Sequence, residues 1–129
     1  MARIERFEDI ESWKLAREIA GEIYAISSNG EFARDFALRD QIRRAAIAIL
    51  SNIAEGFERE GNKEFINFLF VAKASCAEAR SQLYIALDQN YIDREQFERI
   101  YGKLDETGRV IGGLVRYLSN SDFKGSKFR

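Results

Sequence analysis

The sequence predicts an all-α protein, an antiparallel up-down-up-down four-helix bundle, from three observations. Apolar residues recur every three or four positions in four long segments, short stretches of glycine, asparagine and charge separate those segments, and no proline interrupts any of them. With 46% hydrophobic and 32% charged residues, the 129-residue chain suits one helix-rich domain over 1–129, for which self-association would add buried surface.

The first helix is predicted over about 10–27, with Asp9 as its N-cap and Trp13, Ala16, Ile19, Ala20, Ile23 and Ile26 facing inward. Phe7 is placed to pack as a staple against it, and Ser28-Asn29-Gly30 ends it. The connection over 31–35 carries Phe32, which with Phe36 is expected to fold back onto the bundle end. Asp35 is a suitable N-cap for the second helix, predicted over 36–57.

That second helix organises the rest. Ile42, Ala45, Ala46, Ile49, Ile53 and Phe57 form one face, and Ile47, Leu50 and Ala54 widen it to roughly 200°, too broad for one neighbour. Coverage by its own bundle and by another subunit follows. The remaining arc carries Gln41, Arg44, Ser51, Asn52 and Glu55, a polar seam expected to lock helix to helix, with a ligand-facing site as the alternative. The EGFEREG run over 55–61 reads as a fraying end from which Phe57 reaches towards a neighbouring subunit.

The third helix is predicted over 63–89, opened by Asn62 and about 40 Å long. Its main stripe is Phe65, Leu69, Ala72, Cys76, Ala79, Leu83 and Ala86, and a second row of Ile66, Phe70, Ala77 and Tyr84 lies about 100° away. Two rows imply two sets of neighbours, so Ile47, Leu50, Phe57, Ile66, Phe70 and Tyr84 are the candidate subunit contacts. Cys76 lies in the main stripe and reads as a buried, inert thiol.

Asp93 and Gln96 form a capping-box start for the fourth helix, predicted over 94–118 with Phe97, Ile100, Leu104, Ile111, Leu114, Val115 and Leu118 in its apolar stripe. Gly108 and Gly112, one turn apart, suggest close approach of another helix backbone. The polar tail over 119–129 reads as flexible; Lys124, Lys127 and Arg129, interleaved with Phe123 and Phe128, are candidate nucleic-acid contacts, and a solubilising tail is the alternative.

Several chemistries are excluded. The absence of histidine removes catalytic triads and histidine-containing di-iron motifs, and one cysteine builds neither an internal disulfide nor a cysteine zinc site. Glu55 with Glu58 and Glu95 with Glu98 have helical spacing but are expected to be exposed, without an inward partner on the third helix. No enzyme activity, metal or cofactor is expected. The N-terminus lacks an apolar signal core and no run is long enough to span a membrane, so a cytoplasmic protein is expected.

A net charge of −1, from 20 basic and 21 acidic residues, requires any nucleic-acid binding to come from a local patch. Arg39, Arg43 and Arg44 form the one basic cluster inside a helix and are the first candidates for phosphate contact. Asp40 is spaced to pair with Arg44, and Arg43 projects into the apolar arc, so it is expected to cross to a carboxylate on a neighbouring helix or subunit.

The words QIRRAAIAILSNIAEGF and NKEFINFLFVAKASCAEARSQL resemble the four-helix-bundle family of proteins encoded in intervening sequences of bacterial 23S ribosomal RNA genes, a similarity running from about Phe7 to Leu118. Members usually carry proline just before the SNIAEG word, where this chain has Leu50, so a straighter second helix is expected here. The resemblance implies a ring-shaped homopentamer. It also implies a non-catalytic module with RNA or DNA as its partner, because a similar bundle family serves diversity-generating retroelements and binds nucleic acid. A protein-interaction scaffold is the second reading, and a carboxylate-dependent metal enzyme the third.

Overall fold

The computed structural model describes residues 4–120, and among them every regular element is helical. A 3-10 turn over Phe7–Asp9 leads into α1 (Glu11–Ile26), a one-turn helix α2 (Gly30–Arg34), α3 (Phe36–Phe57), α4 (Asn62–Asp88) and α5 (Arg94–Ser119). The four long helices close a circuit: α1 packs on α3 and α5, α3 on α4, and α4 on α5. Ile19, Ile23, Ile42, Ile49, Ile53, Leu69, Leu83, Ile100 and Leu104 are fully enclosed within it. Each such side chain adds about 1.5–3 kcal/mol by leaving water, and their spacing on each helix produces one continuous core.

Local caps differ from the sequence reading in instructive ways. Asp9 caps the 3-10 turn, accepting the Arg6 amide at 3.2 Å, while Ile10 occupies the N-cap of α1. Asn62 is already helical; Gly61, at φ 85°, is the N-cap of α4, and the Asn62 amide instead donates to the Leu118 carbonyl at 3.2 Å. That bond ties the start of α4 to the end of α5. Asp35 caps α3 through the Leu38 amide at 3.1 Å and also accepts the Tyr91 hydroxyl at 2.9 Å, joining the α4–α5 turn to the start of α3. The capping box of Asp93 and Gln96 forms as predicted.

The connection between the first two predicted helices contains α2, which seats Phe32 in the core with its ring stacked on Tyr91 at 5.2 Å. Phe36, expected to fold in the same way, is 62% exposed and lies beneath the Arg39 guanidinium. Phe7 packs edge-on against Trp13 at 5.2 Å, and that pair covers the N-terminal side of α1.

Phe57 is a correction. It does not extend to a neighbouring subunit but is 4% exposed inside its own chain, with its ring edge-on to Phe65 at 6.0 Å. The helix continues through Gly56 because α4 crosses it there: a Cβ on Gly56 would stand 2.6 Å from the Phe68 Cβ and 3.0 Å from the Phe65 Cδ1. The close approach expected at Gly108 and Gly112 is absent. Cβ atoms there would meet their nearest neighbours at ordinary distances of 3.9 and 3.6 Å.

Glu22 links α1 to α5, accepting hydrogen bonds from Lys103 and, at 3.0 Å, from Arg99. Burial pushes its pKa up, but the bonds from Lys103 and Arg99 more than offset that, and the carboxyl lies below its ordinary 4.5. A depressed folded pKa contributes stability that is present above the unfolded value and lost as pH falls through the folded one. Chemical-denaturation midpoints are therefore expected to drop as pH falls below about 4.5, with Glu22→Gln losing stability at neutral pH and showing a shallower acid decline.

Candidate functional site

Three surfaces contain the residues singled out by the sequence. The first is the arginine cluster of α3. Arg39 is held by Asp40 at 2.9 Å and by the Ala33 carbonyl at 3.0 Å, so its guanidinium fastens α2 to α3. Arg43 does cross to another helix, but not to a carboxylate. Its Nε donates to the Ser27 hydroxyl at 2.8 Å, one terminal nitrogen donates to the Ser27 carbonyl and the Ser28 hydroxyl at 3.2 Å, and the group lies 4.4 Å from the Tyr24 ring. A cation there satisfies orphan acceptors at the C-terminus of α1 and opposes its dipole. Arg44 is exposed, and Asp40 pairs with Arg39 rather than with it. Among the described residues, Arg44 alone of the three has a guanidinium that is neither ion-paired nor hydrogen-bonded, and it remains for phosphate.

The polar seam does not lock helices together. Gln41, Arg44, Ser51 and Glu55 face outward; Asn52 turns back to the Ala48 carbonyl of its own helix at 2.8 Å, and Glu55 pairs with Arg59 at 3.2 Å. Ser and Asn side chains satisfy themselves within a helix when no partner helix faces them. Lys124, Lys127 and Arg129 lie outside the described residues.

The second surface is apolar. Phe70 is 55% exposed, Tyr84 49% and Ile47 42%, with Ile66 and Leu50 partly covered by the core. On α4, Ile66, Phe70, Ala74, Ala77, Ser81 and Tyr84 follow one another along the outside at three- and four-residue steps without a charge among them. Val71 and Ile85, which the sequence reading passed over, are about half exposed beside that row and broaden it. Their signal was available, since both fall about one residue-step from the row on a helical projection. Tyr84 is also braced within the chain by Phe97 at 4.9 Å and Tyr101 at 5.8 Å.

The third surface is the cleft between α4 and α5, lined by Phe70, Lys73, Arg80, Asp105, Gly108 and Arg109. Arg80 crosses from α4 to Asp105 at 3.2 Å, and Arg109 reaches the same carboxylate at 2.9 Å. Cys76 forms the floor. Burial pushes its thiol up to about 11, against the opposing charges of Arg80 and Lys73. Since the thiolate is the reactive form, Cys76 is expected to resist a disulfide reagent at about pH 8 in the folded protein and to react fully in denaturant. Among the described residues no cluster of three acidic or cysteine groups is arranged to hold a metal, and no helix is long and apolar enough to cross a membrane.

Comparison with known proteins decides the family. The model of the 23S rRNA-intervening sequence protein family matches residues 8–113, which covers α1, α2, α3, α4 and most of α5. The chain belongs to that family. A solved structure from Bacteroides thetaiotaomicron VPI-5482, described as a protein of unknown function from the S23 ribosomal protein family, is similar at 26% identity. The match covers 81% of this chain and 98% of that one, with a TM-score of 0.75. A search of curated proteins returned no match.

As a 23S rRNA-intervening sequence protein, the chain places its SNIAEG word at the C-terminal end of α3, where Gly56 admits the aromatic start of α4. Leu50, standing where proline is usual, is partly buried against the core, and α3 runs unbroken from Phe36 to Phe57.

Proposed function

We propose that this family member is a non-catalytic module that assembles with copies of itself and presents a surface for RNA or DNA. Self-assembly is carried by one observation: the uncharged outer row of α4, from Ile66 to Tyr84, bounded by Val71 and Ile85. An uncharged, exposed row of this kind, with Phe70 and Tyr84 about half exposed, favours a contact site there. The antiparallel order of the bundle is supported by the ties of Asn62 to Leu118 and of Tyr91 to Asp35, and a pentameric ring is what the family resemblance suggests.

Nucleic acid as the partner is supported by the rRNA-gene context in the family's name and by cations that the internal ion pairs leave over. Ring assembly would multiply a modest patch on each subunit into a stronger field, which is how a chain of net charge −1 could bind a polyanion. Electrophoretic shifts with structured RNA and with duplex DNA at low salt test this reading. A retarded species that dissolves as salt rises supports it. No shift with either, together with a protein partner recovered from nuclease-treated cell extract, replaces it with the scaffold reading.

A further inference from the structure

The cations that converge in this structure lie on α4 and α5. Lys73 and Arg116 are exposed and make no ion pair among the described residues. Both approach one point: where a Cβ on Gly112 would stand, the Lys73 Cε and a terminal nitrogen of Arg116 are each 3.6 Å away. The second terminal nitrogen of Arg116 lies 3.8 Å from the corresponding point of Gly113.

The backbone explains the arrangement. A helical side chain leans towards the N-terminus, over the residue four positions earlier, so Arg116 covers Gly112; with no side chain there, the guanidinium lies along the bare helix. Lys73 reaches the same spot from α4. Two like charges held together repel, and an anion seated between them reverses the sign of that interaction.

The convergence continues into the cleft of about 360 Å³ between the helices, where Arg80 and Arg109 share the single carboxylate of Asp105. Among the described residues three cations, Lys73, Arg80 and Arg109, thus line the cleft with one acid, and Arg116 lies beside it at Gly112. Lys73 and Arg80 are seven residues apart, as are Arg109 and Arg116, so each pair spans about 10 Å along its helix. A strip of that length suits an extended polyanion better than a single small anion. Lys73 and Arg80 sit roughly 60–80° around α4 from Phe70, and the cleft they line is also lined by Phe70, Ala74 and Ala77, so anion contact and subunit contact adjoin along α4.

The geometry points to the α4–α5 cleft beside Gly112 as the site for the sugar–phosphate backbone of a nucleic acid, with Lys73 and Arg116 gripping one phosphate and Arg80 and Arg109 extending the track. The inference rests on the nucleic-acid reading above and moves its site from α3 to the opposite helix pair.

The test is fluorescence anisotropy of the full chain with labelled single-stranded RNA and DNA oligonucleotides, titrated with salt, for the parent, Lys73→Gln/Arg116→Gln, and Arg44→Gln. The double variant is expected to bind at least about tenfold more weakly and to lose a salt slope of roughly 0.7 for each phosphate contact removed, while Arg44→Gln changes affinity less than about threefold. Because both side chains are exposed, circular dichroism and solution mass should be unchanged. If the parent binds and the double variant matches it in affinity and slope, the cleft is wrong and the nucleic-acid reading stands. If the parent binds neither oligonucleotide, both fall. Binding to anionic vesicles alone, or full displacement of the oligonucleotide by equimolar inorganic phosphate, also overturns the proposal.

Discussion

Gly56→Ala is expected to destabilise the protein by about 1–3 kcal/mol, although the same change in most helices stabilises by up to about 1 kcal/mol. The new methyl would sit 2.6 Å from the Phe68 Cβ and 3.0 Å from the Phe65 ring. Phe68 is struck at its root, which cannot swing aside by changing rotamer, so the start of α4 must move bodily. That movement would disturb the Phe57–Phe65 contact and the tie from Asn62 to Leu118. Gly21→Ala and Gly102→Ala are the matched controls: both glycines are helical and neither Cβ would meet anything within 4 Å. Urea denaturation should show the midpoint falling for Gly56→Ala and rising slightly for the other two.

The second large effect concerns assembly. Phe70→Glu is expected to leave the bundle folded, because the side chain is 55% exposed, and to weaken self-association by at least about 30-fold, or 2 kcal/mol. A carboxylate in the middle of an uncharged row would be stripped of water by a second subunit, a cost that exposed Lys73, three residues on, would only partly offset. Ser81→Glu, at the same face one turn before Tyr84, should act in the same direction. Retained far-ultraviolet circular dichroism with a fall in light-scattering mass is the expected pattern.

The long helices were legible because their signal is local. Ile42, Ile49 and Ile53, or Leu69, Cys76 and Leu83, repeat at the helical period, and each is buried as that period requires. Caps were legible to within a residue. Gly61 rather than Asn62 opens α4 because the chain turns there at φ 85°, a conformation glycine adopts freely, and Asn62 was then available for Leu118. The one-turn α2 was missed because five residues are too few to show a period.

The candidate sites depended on contacts that sequence does not encode locally. Arg43 looked available for a carboxylate until the C-terminus of α1 was seen to present the Ser27 carbonyl and hydroxyl to it. Phe57 looked unplaced until α4 folded back over it. In both cases the partner lies within the chain's own packing: Arg43 crosses to another helix as expected but to Ser27 rather than to a carboxylate, and Phe57, expected to reach a neighbouring subunit, packs on Phe65. Lys73 and Arg116, separated by most of two helices in sequence, are brought to one point by the α4–α5 contact.

Self-assembly through the outer face of α4 is the claim from which the multiplied surface field follows. Sedimentation equilibrium of the full chain at micromolar concentration tests it most directly. A mass several times the 14.9 kDa of one chain is expected, falling towards 14.9 kDa in Phe70→Glu. A folded parent protein that sediments as a single 14.9 kDa species across that concentration range would contradict it.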